Sequence, residues 1–215
     1  MSPRPRPAPG PVYAIADLGA LGPTPLPEAV AAMAEAGVGW IQLRMKDGLP
    51  DGELYRLAEA SSRRLEGSGV ALWMDDRADL AALLPFAGLH LGQDDLPPGA
   101  ARQVVGRELW IGRSTHDEAQ VRAAEADGQV DVVAFGPVFP TAGKERPDPV
   151  VGLAGLKRAR ELTGKPLVAI GGISAGNLGQ VLAAGADTAA VLGAVCRGDV
   201  GGNCRRLLAA AEGTR

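Results

Sequence analysis

Three polar side chains close one apolar run: Gln42, Arg44 and Lys46, in Ile41-Gln42-Leu43-Arg44-Met45-Lys46. A strand alternates its faces with a period of two, so Trp40, Gln42 and Arg44 share one face. Ile41 and Leu43 take the other, and Lys46 follows the strand end. A strand buried in a parallel sheet is normally apolar on both faces, and burying an amide and a guanidinium without partners costs several kcal/mol. An anion is therefore expected to meet them, as a ligand or as a structural carboxylate. Further on, Asp75-Asp76-Arg77 and Asp94-Asp95 supply two acidic clusters. Mg²⁺ prefers oxygen ligands and binds through a few carboxylates together with substrate phosphates. Asp76 and Asp95, set beside a basic cluster, thus suggest a metal–diphosphate site, although each acidic pair alone also reads as a helix start or a polar loop. The Gly171-Gly172-Ile173-Ser174 and Leu192-Gly193 turns suit phosphate binding, because glycine lets backbone N–H groups approach an anion. Alone, each also reads as a tight turn. His90, inside an apolar strand, reads as structural; His116 reads as a cap or a pocket wall, and Asp187 as serving its local turn.

The elements that must position these groups alternate along the chain. Apolar strand-like runs are expected at Val12–Ala16, Trp40–Arg44, Ala71–Met74, Gly88–Leu91, Trp110–Gly112, Val130–Phe135, Pro166–Ile170 and Thr188–Leu192. Helical patterns follow at Glu28–Ala36, Asp51–Glu66, Ala78–Leu84, Gly99–Val105, a segment ending near Gly128, Leu153–Thr163, Asn177–Ala184 and Asn203–Ala211. Pro27 suits a first helical turn, and Thr115 with Glu118 fits a capping box for the fifth helix. Eight such alternations predict a parallel sheet with right-handed crossovers, closed as a (β/α)₈ TIM barrel in the α/β class. The runner-up is an open doubly wound sheet, which lacks support from any GxGxxG after the first strand. In a barrel the loops after the strands share one rim. Arg113 and Ser114 after strand five and Thr141 and Lys144 after strand six would join the basic, acidic and glycine clusters there.

The 215 residues suit one large domain, and a hydrophobic content of 46% allows a substantial core. The net charge of −3 gives no bulk attraction to nucleic acid, so anion binding must come from local placement. No apolar run reaches membrane-spanning length. Pro3-Arg4-Pro5-Arg6-Pro7 lacks a following signal core and reads as part of a disordered leader over residues 1–10, with the barrel over 11–215. Cys196 and Cys204 have no CxxC spacing, and reduced thiols in a cytoplasmic protein are the simplest reading.

These motifs, in order and across nearly the whole chain after the leader, resemble the thiamine phosphate synthase family. The resemblance rests on Gln42-Leu43-Arg44-Met45-Lys46, Asp75-Asp76-Arg77-Ala78-Asp79-Leu80-Ala81, Gly88-Leu89-His90-Leu91-Gly92-Gln93-Asp94-Asp95, Gly112-Arg113-Ser114-Thr115-His116, Gly136-Pro137-Val138-Phe139-Pro140-Thr141 and Ala169-Ile170-Gly171-Gly172-Ile173. It implies a (β/α)₈ transferase that joins 4-amino-2-methyl-5-hydroxymethylpyrimidine diphosphate to a thiazole phosphate, releasing diphosphate. It implies diphosphate binding by Gln42, Arg44 and Lys46, and Mg²⁺ ligation by Asp76 and Asp95. It also implies contacts from Ser114 and Lys144 to the diphosphate or pyrimidine, and thiazole phosphate binding by Thr141, Gly172 and the backbone near Gly193. Its partners would be these small molecules, with no nucleic acid or membrane and with oligomerisation left open. Two positions depart from the family pattern: Asp75 replaces the usual Asn at a substrate-binding position, and Gly143 replaces a common Thr. They keep two further readings in view, a thiazole tautomerase using His116 and a non-catalytic binding paralogue, beside a more general phosphate-binding barrel isomerase.

Overall fold

Apolar runs bounded by glycine and proline turns build strands buried on both faces, as a sheet covered by helices requires. The computed structural model describes residues 8–46, 48–141 and 148–213. Strands β1 (Val12–Asp17), β2 (Trp40–Arg44), β3 (Ala71–Asp75), β4 (Gly88–Leu91), β5 (Trp110–Thr115), β6 (Val132–Phe135), β7 (Leu167–Ile170) and β8 (Thr188–Val191) pair in sequence order as a closed barrel. Every pairing is parallel, and β1 closes onto β8 with Val12 opposite Ala189. The outer layer comprises α1 (Leu26–Glu35), α2 (Asp51–Arg64), α3 (Ala78–Leu83), α4 (Pro98–Val105), α5 (Glu118–Ala126), α6 (Gly152–Leu162), α7 (Leu178–Ala183), α8 (Gly193–Cys196) and α9 (Val200–Glu212). The expected TIM barrel is thus the observed fold. The first seven residues of the expected leader lie outside the described residues.

Two apolar cores follow from the strand alternation. Ile41 and Leu43 join the layer between sheet and helices, whereas Tyr13, Trp40 and Trp73 fill the barrel interior. The Trp40 and Trp73 ring centroids lie 4.9 Å apart, and Trp110 stands edge-on to both. Such rings need empty space opposite them. At Gly88 an added Cβ would lie 2.4 Å from the Trp73 ring, and at Gly112 one would lie 2.6 Å from His90 Nδ1. These glycines are volume holes for their neighbours rather than hinges.

Two carboxylates stitch the lower rim. Asp131 accepts from the Ile111 N–H at 2.9 Å and from Arg102 at 2.7 Å. Asp187 accepts from the Leu167 N–H at 2.7 Å and from Arg160 at 2.8 Å. Asp187 therefore does serve its local turn.

Three sequence expectations need correction. Strand β5 does not stop at Gly112; it continues to Thr115, which is paired opposite Phe135. Thr115 is consequently no cap, and its hydroxyl donates to the Ala134 carbonyl at 2.8 Å. A cap must immediately precede the helix, and Asp117 does so, accepting from the Gln120 N–H at 2.8 Å. Finally, the short α8 after β8 had no counterpart in the sequence reading.

Candidate active site

Polar side chains gather where β1 to β5 end. Gln42 is buried and faces inward, donating from Nε2 to the Tyr13 hydroxyl at 3.1 Å. Burial, reinforced by the charge of Asp75, holds the Tyr13 phenol well above its ordinary pKa, so it remains neutral. One step toward the rim, Arg44 Nη1 donates to Asp17 Oδ2, and its Nε lies 3.6 Å from Asp75. Lys46 Nζ lies 2.7 Å from Asp76 and 3.6 Å from Asp75. Among the described residues, the acidic groups facing the basic cluster are therefore Asp17, Asp75 and Asp76.

Asp17 escaped the sequence reading. Its only signal was its place as the polar last residue of an apolar strand. The structure buries it, with Oδ1 accepting from the Ala20 N–H at 2.9 Å while Oδ2 meets Arg44.

The acidic residues converge as expected. Asp76 adopts φ 59°, a left-handed conformation that aspartate tolerates better than most residues but that still costs about 1–2 kcal/mol. Its N–H donates to the His90 carbonyl at 2.9 Å. Its side chain meets Asp95, which also accepts from the Gly92 N–H at 2.7 Å. Burial and this contact raise the Asp76 pKa. Burial acts upward on Asp95 too, but hydrogen bonds from Asp76 and Gly92 outweigh it and keep Asp95 the anion. Burial and the neighbouring Asp76 push Asp75 up to about 7 against the opposing pull of Lys46 and Arg44. Arg77 turns away to Asp79 and Asp51 at 2.6 and 2.9 Å.

Two carboxylates whose side chains meet are a donor pair that a cation can bridge. The oxygen-only chemistry of Asp76 and Asp95 fits a hard divalent ion that takes its remaining ligands from water and substrate. Among the described residues, no group of three or more His, Cys, Asp or Glu side chains gathers as a ready ligand set.

Ser114 lies across the rim with its Oγ 2.9 Å from His90 Nε2. Burial lowers the His90 pKa to about 4, so the ring is neutral at pH 7. Gln93 donates to the Ser114 carbonyl, and Arg113 donates to the Gly92 carbonyl, fixing the turn that carries Asp95. His116 is engaged elsewhere: its Nδ1 lies 2.7 Å from the Gly136 carbonyl and 3.6 Å from Asp148.

On the opposite arc, Gly171 and Gly172 have φ of 101° and 64°. Side chains there would strike Pro137 and the Pro140 carbonyl at 2.5 and 2.6 Å. The loop after β6 packs against this turn, with the Phe139 N–H donating to the Gly171 carbonyl at 3.1 Å. Asn177 clasps the turn, donating to the Gly172 carbonyl and accepting from the Ser174 N–H. Gly193 opens α8, and among the described residues no group outside its chain neighbours and its own helix comes within 4 Å of where its Cβ would be. Thr141 ends the described part of the β6 loop, while Gly143 and Lys144 lie outside the described residues.

Comparison with known proteins agrees with this geometry. Residues 12–195 match the family model described as thiamine monophosphate synthase. A thiamine-phosphate synthase of Koribacter versatilis is 45% identical over 185 residues, covering 84% of this chain and 86% of that protein. One from Syntrophomonas wolfei is 39% identical over 197 residues, covering 91% and 93%. The solved thiamine phosphate pyrophosphorylase from Pyrococcus furiosus superimposes with a TM-score of 0.85 at 32% identity, covering 94% of this chain and 96% of that one. By sequence and by fold, the chain belongs to the thiamine monophosphate synthase family.

Proposed function

We propose that the protein is a thiamine-phosphate synthase that couples 4-amino-2-methyl-5-hydroxymethylpyrimidine diphosphate to a thiazole phosphate and releases diphosphate. The observation that carries this reading is the gathering on one rim of two cations, Arg44 and Lys46, beside the carboxylate pair of Asp76 and Asp95, with Lys46 2.7 Å from Asp76. Lys46 binds the diphosphate by exchanging carboxylate partners for phosphate oxygens, and Arg44 binds it with the N–H groups not used on Asp17, with Gln42 beneath Arg44 and Asp75 between the two cations. Mg²⁺, held by Asp76 and Asp95, supplies charge neutralisation to the leaving diphosphate when bound. Ser114 and Lys144 contact the diphosphate or pyrimidine. Thr141, Gly172 and the backbone at Gly193 take the thiazole phosphate.

The reaction breaks the bond between the pyrimidine methylene carbon and the diphosphate oxygen, whose electron pair leaves with the diphosphate. The electron-rich aminopyrimidine spreads the resulting positive charge, and the thiazole nitrogen then donates its lone pair to the methylene carbon. No protein nucleophile is required. The chain's part is to hold two substrates in line, to stabilise the growing charge on diphosphate with Arg44 and Lys46, and to keep water from the cation. His116 is engaged with the Gly136 carbonyl, and because the substitution needs no protein nucleophile, the contact between Ser114 and His90 is read as serving binding and positioning.

The decisive assay incubates the purified protein with both substrates and Mg²⁺ and follows thiamine phosphate by chromatography. Product that disappears on chelation supports the synthase. A folded protein that binds thiazole phosphate without forming product would overturn it in favour of a tautomerase or a non-catalytic paralogue.

A further inference from the structure

His90 looks structural in the sequence, yet its ring ends on a polar atom of the candidate site. Residues Gly88 and His90 of β4 face the barrel interior, while Leu89 and Leu91 join the outer core. On the next strand Gly112 and Ser114 face the same way. The register sets His90 opposite Gly112, and the imidazole fills the space that a side chain at 112 would occupy. The ring therefore leans over β5, and Nε2 reaches Ser114 Oγ at 2.9 Å.

A serine hydroxyl has one proton and two lone pairs and rotates freely unless something fixes it. A neutral imidazole presents one donor nitrogen and one acceptor nitrogen, so its contact with Oγ either draws the serine proton onto Nε2 or occupies a serine lone pair and turns the proton elsewhere. Backbone contacts hold the rest of Ser114: its carbonyl accepts from Gln93, and its strand pairs opposite Ala134. The hydroxyl's rotation is the remaining freedom, and His90 is the group that narrows it.

We propose that His90 is a positioning residue that sets the hydrogen-bonding direction of the Ser114 hydroxyl, and thereby how the site recognises the pyrimidine substrate. The proposal rests on the synthase reading for the identity of that substrate, and on the contact alone for the coupling. Gly112 belongs to the same device, since any side chain there would displace the ring.

The test is a double-mutant cycle joined to a spectrum. His90→Leu is expected to raise the KM for the pyrimidine diphosphate about fivefold to tenfold, the worth of one hydrogen bond, with the thiazole phosphate KM unchanged. In a Ser114→Ala background the same change is expected to shift that KM by less than about twofold. His90→Gln, which keeps a polar atom on the side chain, is expected to recover part of the loss. Independent effects of the two substitutions would overturn the proposal, as would equal losses for both substrates. Nitrogen NMR of ¹⁵N-histidine-labelled protein reads the same coupling without turnover and without altering His90. Ser114→Ala is expected to move the His90 Nε2 resonance and leave that of His116 in place; an unmoved His90 resonance would overturn the proposal. Absence of product from the wild-type protein counts against the synthase reading alone, because the spectrum still decides the coupling.

Discussion

Asp17 offers the sharpest test of how the free protein holds Arg44, the arginine proposed to bind diphosphate. Asp17→Asn preserves shape, and its amide oxygen can still accept from the Ala20 N–H, which now lies 2.9 Å from Oδ1. It replaces the carboxylate oxygen that meets Arg44 with an N–H donor, leaving Arg44, among the described carboxylates, the 3.6 Å contact to Asp75. A hydrogen bond to a charged group contributes about 1.5–3 kcal/mol. The side chains are 29% and 10% exposed, so solvent screening brings this toward about 1–2 kcal/mol. For a chain of this size that is a fall in Tm of about 2–8 °C. Function should follow. An untethered arginine must be reordered when diphosphate binds, at a cost of up to about 2 kcal/mol in side-chain freedom. The KM for pyrimidine diphosphate is expected to rise between about threefold and thirtyfold, with the thiazole phosphate KM unchanged. Arg44→Ala should lose more, since it removes the charge itself. Calorimetry and steady-state kinetics read both effects. An unchanged Tm, or a KM that falls because a competing carboxylate has gone, would refute the claim that Asp17 preorganises Arg44.

Other predictions follow from the same geometry. Asp95→Asn should raise the Mg²⁺ concentration needed for half-maximal activity, and an unchanged metal titration would remove Asp95 from the ligand pair. Gly88→Ala should destabilise the fold by about 1–3 kcal/mol through overpacking against Trp73, measured by urea unfolding; the double variant with Trp73→Phe should recover part of it. Burial raises both buried thiols, Cys196 and Cys204, to about 11, so neither should react with a thiol reagent at pH 8 until the protein unfolds. A raised thiol pKa means that the unfolded chain loses its protons first. Stability held below pH 9 should therefore fall as pH rises toward 11, by at most about 3 kcal/mol per thiol, and Cys196→Ala should flatten that decline.

The barrel was legible because apolar runs and helical patterns alternate without a break, and because polar residues follow the strands. What escaped the sequence reading has one physical root: strand ends at an active rim are polar. Arg113, Ser114 and Thr115 read as a loop because they lack apolar character, yet backbone pairing with β6 carries β5 through all of them. The same polarity made Thr115 resemble a cap. His90 read as structural because its neighbours are apolar, and only the lean of its ring over Gly112 brings it to Ser114. The carboxylate partner of Arg44 was foreseen in kind, as one of two readings, but not in place. Asp17 lies 27 residues earlier in the chain, and only the pairing of β1 with β2 sets it opposite Arg44.

The fit between Trp73 and Gly88 also constrains the history of this barrel. With the indole wedged among Tyr13, Trp40 and Trp110, position 88 gains a methyl group only at a cost in stability while position 73 stays large. The less costly route enlarges 88 after 73 has shrunk, and it passes through a hole in the core. Gly112 and His90 stand in the same relation one step nearer the rim. The floor of the barrel and the wall of its site thus share one constraint: at each of these paired strand positions, the order in which the two partners change decides how much stability the intermediate loses.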